Sequence, residues 1–207
     1  MIDITKSEYC PLCGTPVGPH LLNIRGCPSC PNIKIQYEAM VRTGLYASPL
    51  KEMILNYKYH HMQRLDQPLG SILASAIQGQ SWCRELDALI PVPVTWFDRL
   101  KYRYFPVGLL ASCVGKKLSI PALPLLKVRG KKQRQMELPE SKRPANVRSV
   151  FHLAKHANVK GKTLCIIDDV ATTCSTLREV ARTLKKGGAG HVYAAVLAKT
   201  DPRKSIY

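Results

Sequence analysis

Acidic residues are scarce in this chain of 207 residues, where 14 Asp and Glu stand against 31 Lys and Arg for a formal charge of +17. So large an excess is far more than solubility requires and points to a polyanionic partner, nucleic acid first. Neutralisation of a small phosphorylated ligand, or plain solvation, is the competing account of the same charge. Long apolar runs are also lacking. No stretch approaches the roughly 20 residues of a membrane helix, and Met1 to Glu8 contain nothing like the apolar core of a secretory signal, so a cytoplasmic protein without membrane insertion is expected. Internal repeats and low-complexity tracts are missing as well, which argues against a solenoid or a disordered chain. With 45% hydrophobic residues, the length suits one domain with a sizeable core, plus a small appendage held by something other than apolar burial.

A cytoplasmic setting decides how the cysteines are read, because disulfides do not persist there and paired cysteines are then metal ligands. Cys10 and Cys13 form one C-x-x-C pair and Cys27 and Cys30 a second, with thirteen residues between the pairs. Such spacing lets two sulfurs of each turn grip one ion, and Pro11 and Gly14 suit the first turn. A redox dithiol normally opens a helix after a strand, a context neither pair has. Structural zinc is expected, in a module over residues 1–35. Four sulfur ligands leave no open position for catalysis at the metal. Cys83, Cys113 and Cys165 read as small core residues.

The remainder, residues 36–207, reads as an α/β domain with a mainly parallel sheet. Two helices are expected between Ile33 and Ser81, from Leu50, Met53, Ile54 and Tyr57 and then Leu69, Ile72, Leu73, Ala76 and Ile77. Strands are expected over Ala88 to Val94, Pro121 to Val128, Ser149 to Leu153, Thr163 to Asp168 and His191 to Ala198. Helices fall over Phe105 to Leu118 and Ser175 to Lys186, the last stopped by Gly187, Gly188 and Gly190. Alternation of this kind implies a sheet covered on both faces, with ligands bound beyond the carboxyl ends of its strands. The segments to inspect are then Pro91 to Tyr104, Arg129 to Arg148 and Asp168 to Cys174.

The last of these carries the clearest chemistry. Leu164 to Ile167 are apolar, Asp168 and Asp169 follow, and after Val170 and Ala171 comes a hydroxyl-rich turn, Thr172 to Thr176, that opens a helix. Adjacent carboxylates at a strand end accept hydrogen bonds from vicinal ribose hydroxyls or hold magnesium through water. Hydroxyls and N–H groups at a helix N-terminus cradle a phosphate. The plainer alternative is an N-cap beside solvated aspartates. A P-loop is ruled out, because Gly161 to Thr163 precedes a strand and His156 occupies the position of the first glycine.

Residues 168–176 resemble the signature D-D-V-x-T-T-G-x-T of type I phosphoribosyltransferases, with Cys174 in place of glycine. The resemblance implies that Asp168 and Asp169 bind the ribose hydroxyls of phosphoribosyl pyrophosphate (PRPP). Thr172, Thr173, Cys174, Ser175 and Thr176 would hold its 5-phosphate, with magnesium accompanying the ligand. A side chain at position 174 is expected to narrow the loop. Gln135, Leu138, Arg143, Asn146 and Phe151 are spaced as in the ComF family (ComFC and GntX-like proteins). Leu89 to Val94 with Trp96, Arg99, Arg103 and Phe105 is similar to that family's pyrophosphate-side loop, except at Tyr104, Pro106 and Val107. Taken with the cysteine pairs, the resemblance covers nearly the whole chain. It implies a pyrophosphate side built from Arg99, Arg103, Arg129, Lys131, Lys132, Gln135 and Arg143.

Lys127, Arg129, Lys131, Lys132, Arg134, Lys142, Arg143 and Arg148 crowd a stretch whose only acids are Glu137 and Glu140. The resemblance to phosphoribosyltransferases implies that a cationic loop there would close over departing pyrophosphate and exclude water. Equally, Lys127, Arg129, Lys131, Lys132, Arg134 and Arg148 suit the phosphates of single-stranded DNA, with Tyr102, Tyr104 and Phe105 as stacking platforms. The resemblance implies one of two functions: through the ComF family's association with competence, a PRPP-binding protein of natural transformation that handles single-stranded DNA alongside the DNA-uptake machinery, or a phosphoribosyltransferase acting on a nitrogen acceptor.

Overall fold

The computed structural model describes residues 8–17, 27–28, 30, 35–60, 62–93, 104–128 and 150–201. Its elements run β1 (Met40–Leu45), α1 (Leu50–Tyr59), α2 (Asp66–Gln78), β2 (Ala88–Pro91), α3 (Pro106–Leu118), β3 (Leu126–Val128), β4 (Phe151–Leu153), β5 (Thr163–Ala171), α4 (Ser175–Lys186) and β6 (His191–Lys199). β1, β6, β5 and β2 lie side by side in that order, every pair parallel, as the alternation of strands and helices predicts.

Side chains alternate across the pleat, so each strand feeds two separate cores. Val41, Leu89, Cys165, Ile167, Ala195 and Leu197 pack beneath α1, α2 and α3. Ala88, Ile90, Leu164, Ile166, Ala194 and Val196 face the other way, against Leu177, Val180, Ala181 and Leu184 of α4. Those four stand at helical spacing, one stripe on a helix whose remaining residues are largely charged. α1 is tied to α3 where the Tyr57 hydroxyl donates to the Pro106 carbonyl at 2.7 Å.

Three expectations need correction. A strand, β1, occupies Met40–Leu45, where only helical spacing was read. Arg42 and Thr43 interrupt its apolar pattern, yet both are buried, Arg42 over the Tyr9 ring at 4.5 Å and Thr43 donating to the Leu197 carbonyl at 2.6 Å. β5 extends to Ala171, three residues past Asp168, so both carboxylates belong to the strand and not to the turn after it. β3 and β4 do not join the sheet and instead form an antiparallel ribbon, in which Val128 pairs with Phe151 at the base of segment 129–149, itself outside the described residues. Among the described residues, no helix is long and apolar enough to cross a membrane.

Candidate functional site

β5 carries the chain through the middle of the sheet and delivers Asp168 and Asp169 near its carboxyl end. The pleat sends the two side chains to opposite faces. Asp169 is 5% exposed and meets the Lys58 ammonium of α1 at 2.8 Å, while its Oδ1 accepts the Val170 N–H at 2.7 Å. Asp168, half-buried, accepts the Asp169 N–H at 2.9 Å and lines a notch at the N-terminus of α4. Burial first, then the adjacent Asp169 charge, pushes the Asp168 carboxyl up to about 8. Lys58 opposes this only in part.

The notch, of about 30 Å³, is bounded by Asp168 and by residues 170–172 and 174–177. Its loop is held at both ends. Lys199, 3% exposed, donates to the Thr172 carbonyl at 2.6 Å and to the Thr200 carbonyl at 2.8 Å. Cys174 adopts the left-handed conformation (φ 58°, ψ 13°) just before α4, a geometry that glycine takes at least cost. Although Cys174 borders the notch, its thiol is directed at the Cys13 carbonyl, 3.5 Å away, and is 6% exposed. Burial raises this thiol above its ordinary value, so it stays protonated at neutral pH and acts as a donor. The Thr173 and Ser175 hydroxyls bond to each other at 2.8 Å. The first turn of α4 has no acidic residue to compete with an anion at its positive end.

Behind Cys174 stand the cysteine pairs. Cys10 and Cys30 sulfurs are 3.8 Å apart, Cys13 and Cys27 3.6 Å, Cys27 and Cys30 4.0 Å. A tetrahedron with zinc–sulfur bonds of about 2.3 Å has sulfur–sulfur edges of about 3.8 Å, so the group fits a four-coordinate metal and is too open for a disulfide. Hydrogen bonding from Cys13 draws the Cys10 thiol down to about 4. Leu12, Val17 and Ile35 are the apolar residues packed on this cluster among those described. Each contributes at most about 3 kcal/mol, whereas every ordered backbone residue costs about 1–2 kcal/mol and a structural zinc supplies about 10–16 kcal/mol. A metal bound by the four sulfurs would therefore outweigh apolar burial in holding these turns together.

The structure thus gathers Asp168, Thr172, Cys174, Ser175 and Thr176 about one notch and turns Asp169 to Lys58. Arg99, Arg103, Arg129, Lys131, Lys132, Arg134, Gln135, Arg143 and Arg148 lie outside the described residues. Lys127 is exposed on β3, paired across the ribbon with His152. Beside them runs a groove of about 320 Å³ bordered by His152, Arg182 and Lys186. Sequence reasoning overlooked Lys58, Lys199 and Tyr37, because their partners sit on distant segments. It also overlooked Arg182 and Lys186, whose charge reads locally as the solvated face of an amphipathic helix.

Residues 109–205 match the phosphoribosyl transferase domain, and the chain carries a domain of that class. Over nearly its whole length it is also similar to competence protein F of Haemophilus influenzae, at 29% identity across 95% of this chain and 86% of the relative. DNA utilization protein YhgH of Escherichia coli K12 is 26% identical across 95% and 86%. Competence protein ComFC of Bacillus subtilis is 24% identical across 93% and 78%. Along nearly its whole length the chain is thus similar to this ComF group, and its C-terminal half matches the phosphoribosyl transferase domain. Among solved structures, the glutamine PRPP amidotransferase of B. subtilis superposes with a TM-score of 0.47 at 18% identity, covering 69% of this chain and 30% of that one. A purine phosphoribosyltransferase of Pyrococcus horikoshii gives 0.41 at 24%, covering 68% and 75%.

Two outcomes are expected at this site. Metal analysis of protein purified under reducing conditions should find one zinc per chain, and Cys10→Ser should lower that content and loosen residues 8–17 while the sheet persists, as read by hydrogen exchange. Wild type with no bound metal would contradict the assignment. The second concerns pH. Burial and the Asp169 charge push Asp168 up to about 8 in the folded protein, against about 3.9 in an unfolded chain, so the folded state holds its proton more tightly. The stability this provides is fully present below about pH 4 and is lost as pH rises through about 8. In thermal scans between about pH 5 and pH 9, Asp168→Asn should therefore lose less stability with rising pH than wild type does. Parallel curves would refute the shift.

Proposed function

We propose that the protein binds PRPP, with magnesium, at the notch between β5 and α4, and that it serves DNA uptake in natural transformation. The carrying observation is that a carboxylate at a strand end, three hydroxyl residues and an unopposed helix N-terminus meet in one notch. Hydroxyls and N–H groups suit the 5-phosphate, and Asp168 is within the same notch for the ribose. Asp169, neutralised by Lys58 on the other face, would hold the strand end in place for Asp168 to meet the ribose hydroxyls. Similarity to competence protein F and YhgH along the chain supports the role in DNA uptake. We divide the chain into a zinc module, 1–35, and a phosphoribosyltransferase-type domain, 36–207. Four metal-binding thiols suit a reducing compartment, and the site of action we favour is the cytoplasm.

Single-stranded DNA is the second ligand we propose, less obvious from the notch alone but called for by the +17 charge. Support comes from the basic stretch Lys127 to Arg148, with Arg99, Arg103 and the nearby aromatics, and from the groove bordered by Arg182 and Lys186. Active transfer of the ribosyl group to a nitrogen acceptor is a further reading. It is favoured by the direction of the Cys174 thiol, which leaves the notch clear where a side chain was expected to narrow it. Pyrophosphate release from PRPP across a panel of nucleobases separates an enzyme from a binding protein.

PRPP with magnesium should raise the melting temperature, in keeping with a stabilisation of about 2.7 kcal/mol at a hundredfold excess over Kd. Asp168→Asn combined with Asp169→Asn should abolish the shift relative to the variant's own baseline. A wild-type melting temperature unmoved by millimolar PRPP would rule out the site.

Binding of an oligonucleotide should weaken steeply with salt, with a log–log slope of about 0.7 per neutralised phosphate, and alanine at Lys131, Lys132 and Arg134 should flatten that slope. Salt-independent binding, or none at low ionic strength, would remove DNA from the proposal.

A further inference from the structure

The wall behind the phosphate loop is made by the metal-binding turn itself. The Met40 N–H donates to the Pro11 carbonyl at 2.6 Å, and the Tyr37 hydroxyl donates to the Leu12 carbonyl, also at 2.6 Å. Cys174 donates to the carbonyl of the next residue, Cys13, which is itself a cysteine of the metal group. Three consecutive carbonyls of the first C-x-x-C turn are therefore engaged by the body of the domain. On the other side of the turn Gly14, at φ +68°, lies so close to β1 and β6 that a Cβ placed there would fall 2.4 Å from Met40 Cε and 3.5 Å from Lys199 Cγ. Lys199 in turn grips the Thr172 carbonyl. Both ends of the loop, Thr172 and Cys174, are thus held by groups that rest on one metal-binding turn.

We infer that metal in the four-cysteine site sets the conformation of the phosphate loop, so that metal binding and PRPP binding strengthen each other. The inference rests on the PRPP reading above. Cys174, Tyr37 and Lys199 act as positioning residues. With zinc bound, Cys13 is fixed and its carbonyl offers Cys174 a stationary acceptor. Without it, the acceptor moves, and with it the left-handed residue that aims α4 at the anion. Cysteine at position 174 is then a link between the two sites that glycine, with no side chain, cannot make.

The test is equilibrium competition for zinc between the zinc-loaded protein and a chromophoric chelator, with and without saturating magnesium–PRPP, alongside calorimetry of PRPP binding in the same buffer. In wild type PRPP should tighten zinc by about fivefold or more, the lower end of common coupling factors. Any stripping of zinc by the free diphosphate works in the opposite direction. Cys174→Gly should bring the factor towards one, and Tyr37→Phe should reduce it. Tyr37→Phe carries the comparison if the glycine variant does not fold. Unchanged zinc affinity in wild type that calorimetry shows to bind PRPP overturns the coupling alone, as does coupling undiminished in the folded variants. Zinc-loaded wild type that binds no PRPP overturns the reading of the notch, and the coupling with it.

Discussion

Two adjacent carboxylates at the end of a buried strand are the constraint around which the rest of the molecule is arranged. Side by side and both ionised in a poorly solvated place, they would repel each other and lose hydration. The pleat separates them. Asp169 goes to the helical face, where Lys58 neutralises it, and Asp168 goes to the rim, where burial and its neighbour favour its protonated form. The packing of α1 against α3 through Tyr57 is what brings Lys58 within reach. An apparently remote helix is thus part of the electrostatics of the strand end.

The same separation divides the work of the two faces. On the α1–α3 side a large core fixes the strand and supplies its counter-charge. On the α4 side the second core merges, through Cys13 and Ile35, with the small cluster around the cysteines. The four-cysteine group is therefore continuous with the packing behind the notch, through residues that belong to both clusters.

What could be read from the sequence follows from how local each signal is. β5, α4 and β6 were legible because an unbroken apolar run or a stripe at helical spacing is complete within one segment. The cysteine pairs were legible for the same reason, and the sulfur separations agree with the spacing argument. β1 was not, since its arginine lies over the Tyr9 ring and its threonine bonds to Leu197, and no local pattern reveals a partner elsewhere in the chain. Lys58 and Lys199 escaped notice likewise, being ordinary lysines until the fold sets a carboxylate or a carbonyl before each. At Cys174 the substitution was visible, but the direction of its thiol was not, because that depends on a residue 161 positions away.

Among the described strands β1 has a single neighbour, β6, and the two are far apart in the chain: Thr43 meets Leu197 across 154 positions. At synthesis rates of about 5–20 residues per second, β1 waits on the order of 8–30 seconds on the ribosome before its partner exists. Over that interval its backbone amides have no ladder to join, and the turn that later rests on Met40 and Lys199 has nothing beneath it. The four cysteines are all made before β1 is finished, so a metal ion is the first organising contact open to the nascent N-terminal segment. The order of translation would then place any metal capture by these cysteines ahead of the pairing of β1 with β6, and β6 completes the seat on which the Gly14 turn comes to rest.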